Sequence, residues 1–245
     1  MRRLTRPPLP ARTSAFLARC QSRADALQEQ GTLDIEREWR NARQRKALTG
    51  VLDTLRNMSG PHGRCMYCTD SHGCDVEHFR PKNPYPTHAF HWLNLLLCCP
   101  TCNRQKGDRF PTLNGAPLLI DPTVDDPWEH LDFEPESGLI KARYDARTDQ
   151  RSPRGLETVR LLALDRREVT VGHSKTFRRL KNAVKRTLAA DAPTPTSALI
   201  AELLEEDDHG LLPWCFGDIG RTVEPFSDLF TRQPATWIAC EAAFR

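Results

Sequence analysis

The sequence predicts an α+β fold in which a small cysteine-containing core lies between helical N- and C-terminal regions. Apolar residues recur at helical spacing near both ends of the chain, but they do not do so in the middle. The middle instead carries two Cys-x-x-Cys pairs and three closely spaced prolines, which preclude long helices there. These observations divide the chain into residues 1–60, 61–150 and 151–245.

Two helices are predicted in the N-terminal region. The first covers residues 14–29, with Ser14 as its cap, and Gly31 follows its end. The second is a single long helix from Asp34 to Met58. Its buried side carries the apolar residues Ile35, Trp39, Leu48, Val51, Leu52 and Leu55.

The rest of the chain changes character twice. The middle region is expected to hold short strands, loops and one helix over about 99–107, followed by an extended stretch with turns over 118–145. Helical periodicity returns over 153–190 as two helices, of which the second is basic. Residues 191–197 form a Pro/Thr-rich linker, and a further helix is expected over 197–207.

The composition excludes some classes of protein. The longest strictly apolar run, residues 95–99, is far shorter than the ~18 residues of a membrane span, so we expect no membrane segment and a cytoplasmic location. The net charge of +3 is unevenly spread, with 12 Lys/Arg against 6 Asp/Glu in residues 1–60 and 11 against 3 in residues 151–190. A polyanion partner and ordinary solvated helix faces both explain such clustering.

The four paired cysteines predict a structural zinc site. Cys65 and Cys68 form one pair, and Cys99 and Cys102 form the other. Four thiolates match the tetrahedral sulfur coordination that Zn²⁺ prefers in closed sites. A redox pair is the alternative interpretation, but a redox motif would not need two matched pairs.

Polar residues between and after the cysteine pairs carry a second pattern. Glu77 and His78 are adjacent, Asn94 lies in the middle, and Asn103 and Lys106 follow the second pair. In this order the residues resemble the zinc-knuckle subgroup of HNH endonucleases, which have the ββα-metal fold. The resemblance covers about residues 62–111 closely and implies a metal-dependent nuclease.

The resemblance implies a role for each residue of this pattern. His78 is the general base that takes a proton from water, and Asn94 orients it. Glu77 and Asn103 supply oxygen ligands for a catalytic Mg²⁺ or Mn²⁺. Lys106 lies one helical turn after Asn103 and contacts a phosphate.

Some assignments stay open at this point. Asp75 competes with Glu77 for the catalytic cation, because alternate residues of a strand share a face. Arg80, Lys82 and Arg104 are further candidates for phosphate contacts.

A wider pattern extends the resemblance to about residue 180. The strings 77–82, 85–96, 119–127 and 161–166 are similar to the HNH subunit of Septu anti-phage systems and to retron-associated HNH proteins. This implies a defence nuclease acting on nucleic acid, DNA in the first place with RNA open, together with an ABC/SMC-like ATPase. The chain has no GxxxxGK[ST] phosphate loop, so such an ATPase is a separate protein. A stand-alone restriction or homing nuclease and a non-catalytic zinc module that binds nucleic acid or protein are the alternatives.

Overall fold

The computed structural model describes residues 1–60, 62–190 and 194–244, so the first part of the predicted 191–197 linker lies outside the described residues. The α-helices are α1 (Ala11–Glu29), α2 (Ile35–Arg43), α3 (Lys46–Met58), α4 (Pro100–Lys106), α5 (Pro153–Leu162), α6 (Arg167–Ala189), α7 (Thr196–Glu206), α8 (Leu212–Cys215), α9 (Phe226–Arg232) and α10 (Pro234–Phe244). The strands are β1 (Asp75–His78), β2 (Leu95–Cys98), β3 (Thr112–Leu113), β4 (Ala116–Pro117), β5 (Leu131–Glu134), β6 (Leu139–Ala142), β7 (Tyr144–Asp145) and β8 (Gln150–Arg151). They pair in sequence order as two-stranded antiparallel sheets. The mixed helix and sheet content confirms the predicted α+β class.

The N-terminal helices differ from the prediction in two places. The first helix begins at Ala11 with Pro10 as its cap, so Ser14 lies inside the helix rather than before it. The predicted single helix over 34–58 is wrong, because the chain breaks between α2 and α3, where Arg45 is extended (φ −89°, ψ 134°). The charged and polar run around Arg45 has no apolar side chain to bury, and the break lets Trp39 and Leu48 both enter the core.

The middle region is built on a hairpin followed by a helix. Strands β1 and β2 pair from Asp75 opposite Cys98 to His78 opposite Leu95, and every residue of β2 is buried. The chain then enters α4, whose first turn is capped by the Cys99 thiol accepting from the Cys102 amide at 3.4 Å. Gly107 ends α4 with a positive φ of 51°, which glycine adopts readily. The predicted helix over 99–107 is therefore confirmed.

The extended stretch over 118–145 is only partly strand. Strands β5 and β6 form a hairpin in which Leu131 and Phe133 face inward. Leu119 and Ile120 are fully buried without joining a sheet, and the Ile120 amide donates to the Thr158 hydroxyl on α5 at 3.0 Å. A side chain from a helix thus satisfies a backbone amide in the stretch that the sequence pattern predicts as extended.

The C-terminal helices complete one connected apolar core. Helices α5 and α6 confirm the two helices predicted over 153–190, and α6 buries Phe177, Leu180 and Val184. Buried residues from all three predicted regions belong to a single cluster. Among the described residues, no helix combines the length and the apolar character needed to cross a bilayer.

Candidate active site

The four paired cysteines converge on one buried point. The Sγ atoms of Cys65, Cys68, Cys99 and Cys102 all lie within 4.8 Å of one another, and the Cys68 and Cys99 sulfurs are 3.9 Å apart. Tetrahedral zinc–thiolate bonds of ~2.3 Å place neighbouring sulfurs about 3.8 Å apart, so the donor set fits a closed zinc site. The structure thus brings together the ligand set that the spacing predicts.

Two further side chains lie next to the four-thiol cluster. The Cys98 thiol is 4.0 Å from the Cys65 sulfur and donates to the Cys99 carbonyl at 3.3 Å. The Arg166 guanidinium, at the start of α6, donates to the Cys102 sulfur at 3.6 Å. A four-thiolate zinc centre carries a net negative charge, and Arg166 supplies a nearby positive charge that offsets it.

The face of β1 that packs on α4 carries two carboxylates, and α4 presents one polar partner to each. Lys106 donates from Nζ to the Glu77 Oε1 at 2.7 Å and to the His78 carbonyl at 2.7 Å. The Lys106 side chain is fully buried and that of Glu77 is 7% exposed. Burial raises the pKa of Glu77 above its ordinary value, although the Lys106 charge opposes the rise. Lys106 therefore neutralises a carboxylate inside the protein and does not face solvent, contrary to the phosphate contact expected from the sequence.

The second pair on this face joins Asp75 and Asn103. The Asn103 amide donates to the Asp75 Oδ2 at 3.1 Å, and both residues are half-buried. The structure therefore brings Asn103 to Asp75, the competing carboxylate of the sequence analysis, and gives Glu77 a lysine partner instead.

His78 points to the opposite face of β1 and lies under α2. The rings of His78 and Trp39 meet edge to face with centroids 4.3 Å apart, and His78 is 5% exposed. Its Nε2 lies 2.9 Å from the Ala89 carbonyl oxygen. A carbonyl only accepts hydrogen bonds, so Nε2 carries the proton and Nδ1 is the basic nitrogen. Burial lowers the pKa of His78 to about 3, and the Lys82 charge acts in the same direction.

Asn94 holds a loop and does not contact the His78 ring. Its Oδ1 accepts from the Arg80 amide at 2.7 Å, and its Nδ2 donates to the carbonyls of Arg80 and His88 at 3.0 Å. The Asn94 side chain thus ties the chain after β1 to the segment that carries Ala89. Asn94 therefore acts on His78 only through this loop, whereas the role expected from the sequence was to orient the His78 ring itself.

The basic candidates outside the motif have different surroundings. Lys82 pairs with Glu36 of α2 at 3.0 Å. The Arg80 guanidinium lies over the rings of Tyr85 and Phe110. Arg104 is exposed on α4. Of these three residues, only Arg104 is exposed to solvent and makes neither an ion pair nor a ring contact of this kind within the described part of the chain.

Two residues near His78 were missed by the sequence analysis. Trp39 was predicted on the buried side of a helix but not next to His78, and Ala89 was not singled out at all. Apolar periodicity predicts that Trp39 is buried but not which residue it contacts. A backbone carbonyl such as that of Ala89 leaves no signal in the sequence. Neither contact was therefore detectable from the pattern.

A two-stranded hairpin, a following helix and a four-thiol cluster that holds the start of that helix define a zinc-knuckle ββα-metal unit. The chain is similar in sequence to two proteins that share one name. The chain is 33% identical to Septu protein PtuB of Bacillus mycoides (strain KBAB4) over 145 residues, which cover 46% of this chain and 47% of that protein. It is 37% identical to Septu protein PtuB of Bacillus thuringiensis over 75 residues, 29% of this chain and 28% of that protein.

The alignments span about half the length of the first of these relatives and less of the second. No family model matches the chain. The resemblance to a Septu protein expected from the sequence is confirmed by these two alignments.

Proposed function

We propose that the chain is a metal-dependent HNH endonuclease and the nuclease subunit of a Septu-like anti-phage system. The observation that carries the proposal is the hairpin–helix unit, which places Asp75, Glu77 and Asn103 between β1 and α4 and places His78 at the end of β1 on its other face. The four-thiol cluster holds both the approach to that strand and the start of that helix. The names of the two relatives support the defence role.

His78 is the proposed general base. The Ala89 carbonyl fixes the proton on Nε2, so Nδ1 is free to take a proton from the attacking water. Asn94 acts as a positioning residue, because its side chain holds the loop that carries Ala89. The base is therefore oriented through a backbone carbonyl rather than through an amide side chain.

Asn103 is a proposed ligand of the catalytic Mg²⁺ or Mn²⁺, with Asp75 or Glu77 as its carboxylate partner. The carboxylate and amide oxygens of Asp75 and Asn103 are close together and half-buried, a donor set that suits a hard divalent cation. Glu77 is less available, because Lys106 engages its Oε1. When bound, such a cation supplies charge stabilisation for the phosphate and the leaving oxygen.

The structure represents a form in which the base is covered. Trp39 packs on the His78 ring, and only 5% of His78 is accessible to solvent. A water and a phosphodiester must reach Nδ1, so α2 has to shift in the active form. We propose that association with a separate ABC/SMC-like ATPase produces this shift, which would keep the isolated chain weakly active or inactive.

Co-expression with the neighbouring ATPase gene tests the proposed function. We expect the two proteins to co-elute in size-exclusion chromatography and the complex to cut DNA or tRNA in the presence of Mg²⁺ or Mn²⁺. Loss of the general base in His78→Ala should reduce the cleavage rate by ~10²–10⁴-fold while zinc content is kept. Separate elution together with full cutting by the chain alone would refute the partner, and equal cutting by His78→Ala would refute the base.

A non-catalytic zinc module is the second candidate. It is favoured by the internal pairing of the motif, since Glu77 has a lysine partner and His78 is packed under Trp39. This candidate predicts nucleic-acid or protein binding without hydrolysis under any metal condition. The cleavage assay on the complex separates the two.

A further inference from the structure

Helix α2 has two faces with different roles. Its inner face places Trp39 on the His78 ring and buries Ile35 and Ala42. Its outer side belongs to the basic N-terminal region, which holds 12 Lys/Arg against 6 Asp/Glu. The helix therefore lies directly between the candidate general base and the solvent on that side.

One side of α2 faces the loop just after β1, because Glu36 on that side pairs with Lys82. Glu36, Arg40 and Arg43 have i, i+4 and i+7 spacing, which puts them along one side of the helix. The Glu36 carboxylate pairs with Lys82, in the loop just after β1, at 3.0 Å. Arg40 and Arg43 therefore continue this row along the same flank of α2, and Arg45 follows at the turn into α3.

These three arginines have no acidic partner among the described residues. Arg40, Arg43 and Arg45 are all exposed, and none makes an ion pair or side-chain hydrogen bond in that part of the chain. Many other arginines of the protein are engaged, as in the pairs Arg154–Asp125 and Arg179–Asp208. Within the described chain, three unpaired guanidinium groups therefore lie together on and just after the helix that covers His78.

We propose that Arg40, Arg43 and Arg45, hereafter the α2 arginines, bind the phosphate backbone of a nucleic acid. The inference rests on the proposed nuclease function and assigns that site a substrate contact outside the HNH motif. Guanidinium groups bind phosphate oxygens through paired N–H donors. Arg40 and Arg43 lie on the helix that covers His78, and Arg45 lies at the turn into α3, so a strand bound to them would run along that helix. Contacts to phosphates position a strand without reading its sequence.

Salt-dependent binding by the full, zinc-loaded chain tests the α2 arginines. Fluorescence anisotropy with a labelled DNA duplex and a labelled single strand, without added Mg²⁺ or Mn²⁺, measures binding without cleavage. Each phosphate contact contributes about 0.9 to the slope of log K against log salt on duplex DNA. The triple variant Arg40→Gln, Arg43→Gln, Arg45→Gln should lose about 2.7 from that slope if each arginine holds one phosphate, and should bind at least roughly tenfold more weakly at 50 mM salt.

A matched control carries the same change in charge on another helix. Lys175, Arg178 and Lys185 are exposed on α6 and have no acidic partner among the described residues. Their triple Gln variant should bind nearly as well as the unaltered chain, and the triple Arg→Lys variant of the α2 arginines should keep the salt slope. Equal thermal unfolding of all variants excludes a folding defect.

The outcomes separate this inference from the proposed function. Unchanged binding by the α2 variant, or an equal loss in the α6 variant, overturns the α2 contact even if the complex cuts nucleic acid. Unchanged binding with lost co-elution of the ATPase overturns it in favour of a protein contact. A selective loss of the salt slope supports the α2 contact, and it does so even if the complex shows no hydrolysis and the proposed function fails.

Discussion

Removing the Lys106 ammonium should destabilise the protein strongly. Lys106 is fully buried and donates 2.7 Å hydrogen bonds to the Glu77 carboxylate and to the His78 carbonyl. In Lys106→Met the methionine keeps much of the apolar stem and loses the charge. Glu77 then remains as a buried carboxylate without a counter-ion, and the His78 carbonyl loses a donor.

The burial of Lys106 and Glu77 sets how much stability the Lys106→Met variant should lose. Breaking a buried ion pair by removing one partner costs ~3–5 kcal/mol, because the remaining charge stays uncompensated. For a chain of this length each kcal/mol lowers Tm by about 2–4 °C, so the expected loss is roughly 6–20 °C. The double variant Lys106→Met, Glu77→Leu removes both charges and should recover much of that loss, since apolar replacement of a whole buried pair is often nearly neutral.

Thermal unfolding followed by circular dichroism, with zinc present, measures these differences. Lys46→Met is the matched control, because Lys46 is exposed at the start of α3 and makes no ion pair among the described residues. We expect the control to stay within about 0.5 kcal/mol of the unaltered chain. A loss below ~1 kcal/mol in Lys106→Met would refute the buried pair and return Lys106 to the phosphate-binding role.

Three further predictions concern the metals and the pH dependence of stability. The purified chain should contain about one zinc by elemental analysis, and Cys99→Ser should lose the zinc and the cooperative unfolding transition; zinc-free, folded protein would contradict this. Asp75→Asn should raise the Mn²⁺ concentration needed for half-maximal cleavage more than Glu77→Gln does, and the reverse order would identify Glu77 as the ligand. Burial lowers the pKa of His173 well below its ordinary value, so the unfolded chain takes up a proton that the folded chain excludes. His173 alone should therefore lower stability by up to ~1.4 kcal/mol per pH unit below about pH 6.5, and His78 should add to that fall because its pKa is also lowered. His173→Phe should make the fall less steep in urea titrations, and an unchanged pH profile would exclude His173 as a source.

The four-thiol cluster was predictable because its four cysteines lie in two short Cys-x-x-Cys pairs. Each Cys-x-x-Cys pair fixes two ligands within one turn, and two matched pairs suffice to define a tetrahedral site. The helix from Cys99 to Gly107 followed for the same reason, since a capping thiol and a terminal glycine mark its ends.

The partners of the motif residues were not predictable, because they depend on contacts between distant segments. Helical spacing puts Lys106 next to Asn103, but it does not say which carboxylate of β1 lies opposite each of them. Likewise, periodicity predicts that Trp39 is buried without predicting that His78 is its neighbour. The break at Arg45 was missed because helix propensity is high on both sides, and tertiary burial decided where the helix ends.

Metal-dependent hydrolysis by the zinc-loaded complex with the neighbouring ATPase decides whether the chain is a nuclease. Plasmid DNA and tRNA are incubated with the unaltered complex and with the His78→Ala complex, each with Mg²⁺, with Mn²⁺ and with neither. We expect cleavage by the unaltered complex only when a divalent cation is added, and a reduction of ~10²–10⁴-fold in the variant at equal zinc content. Cleavage of equal rate by the two complexes, or no hydrolysis under any of these conditions, would contradict this expectation.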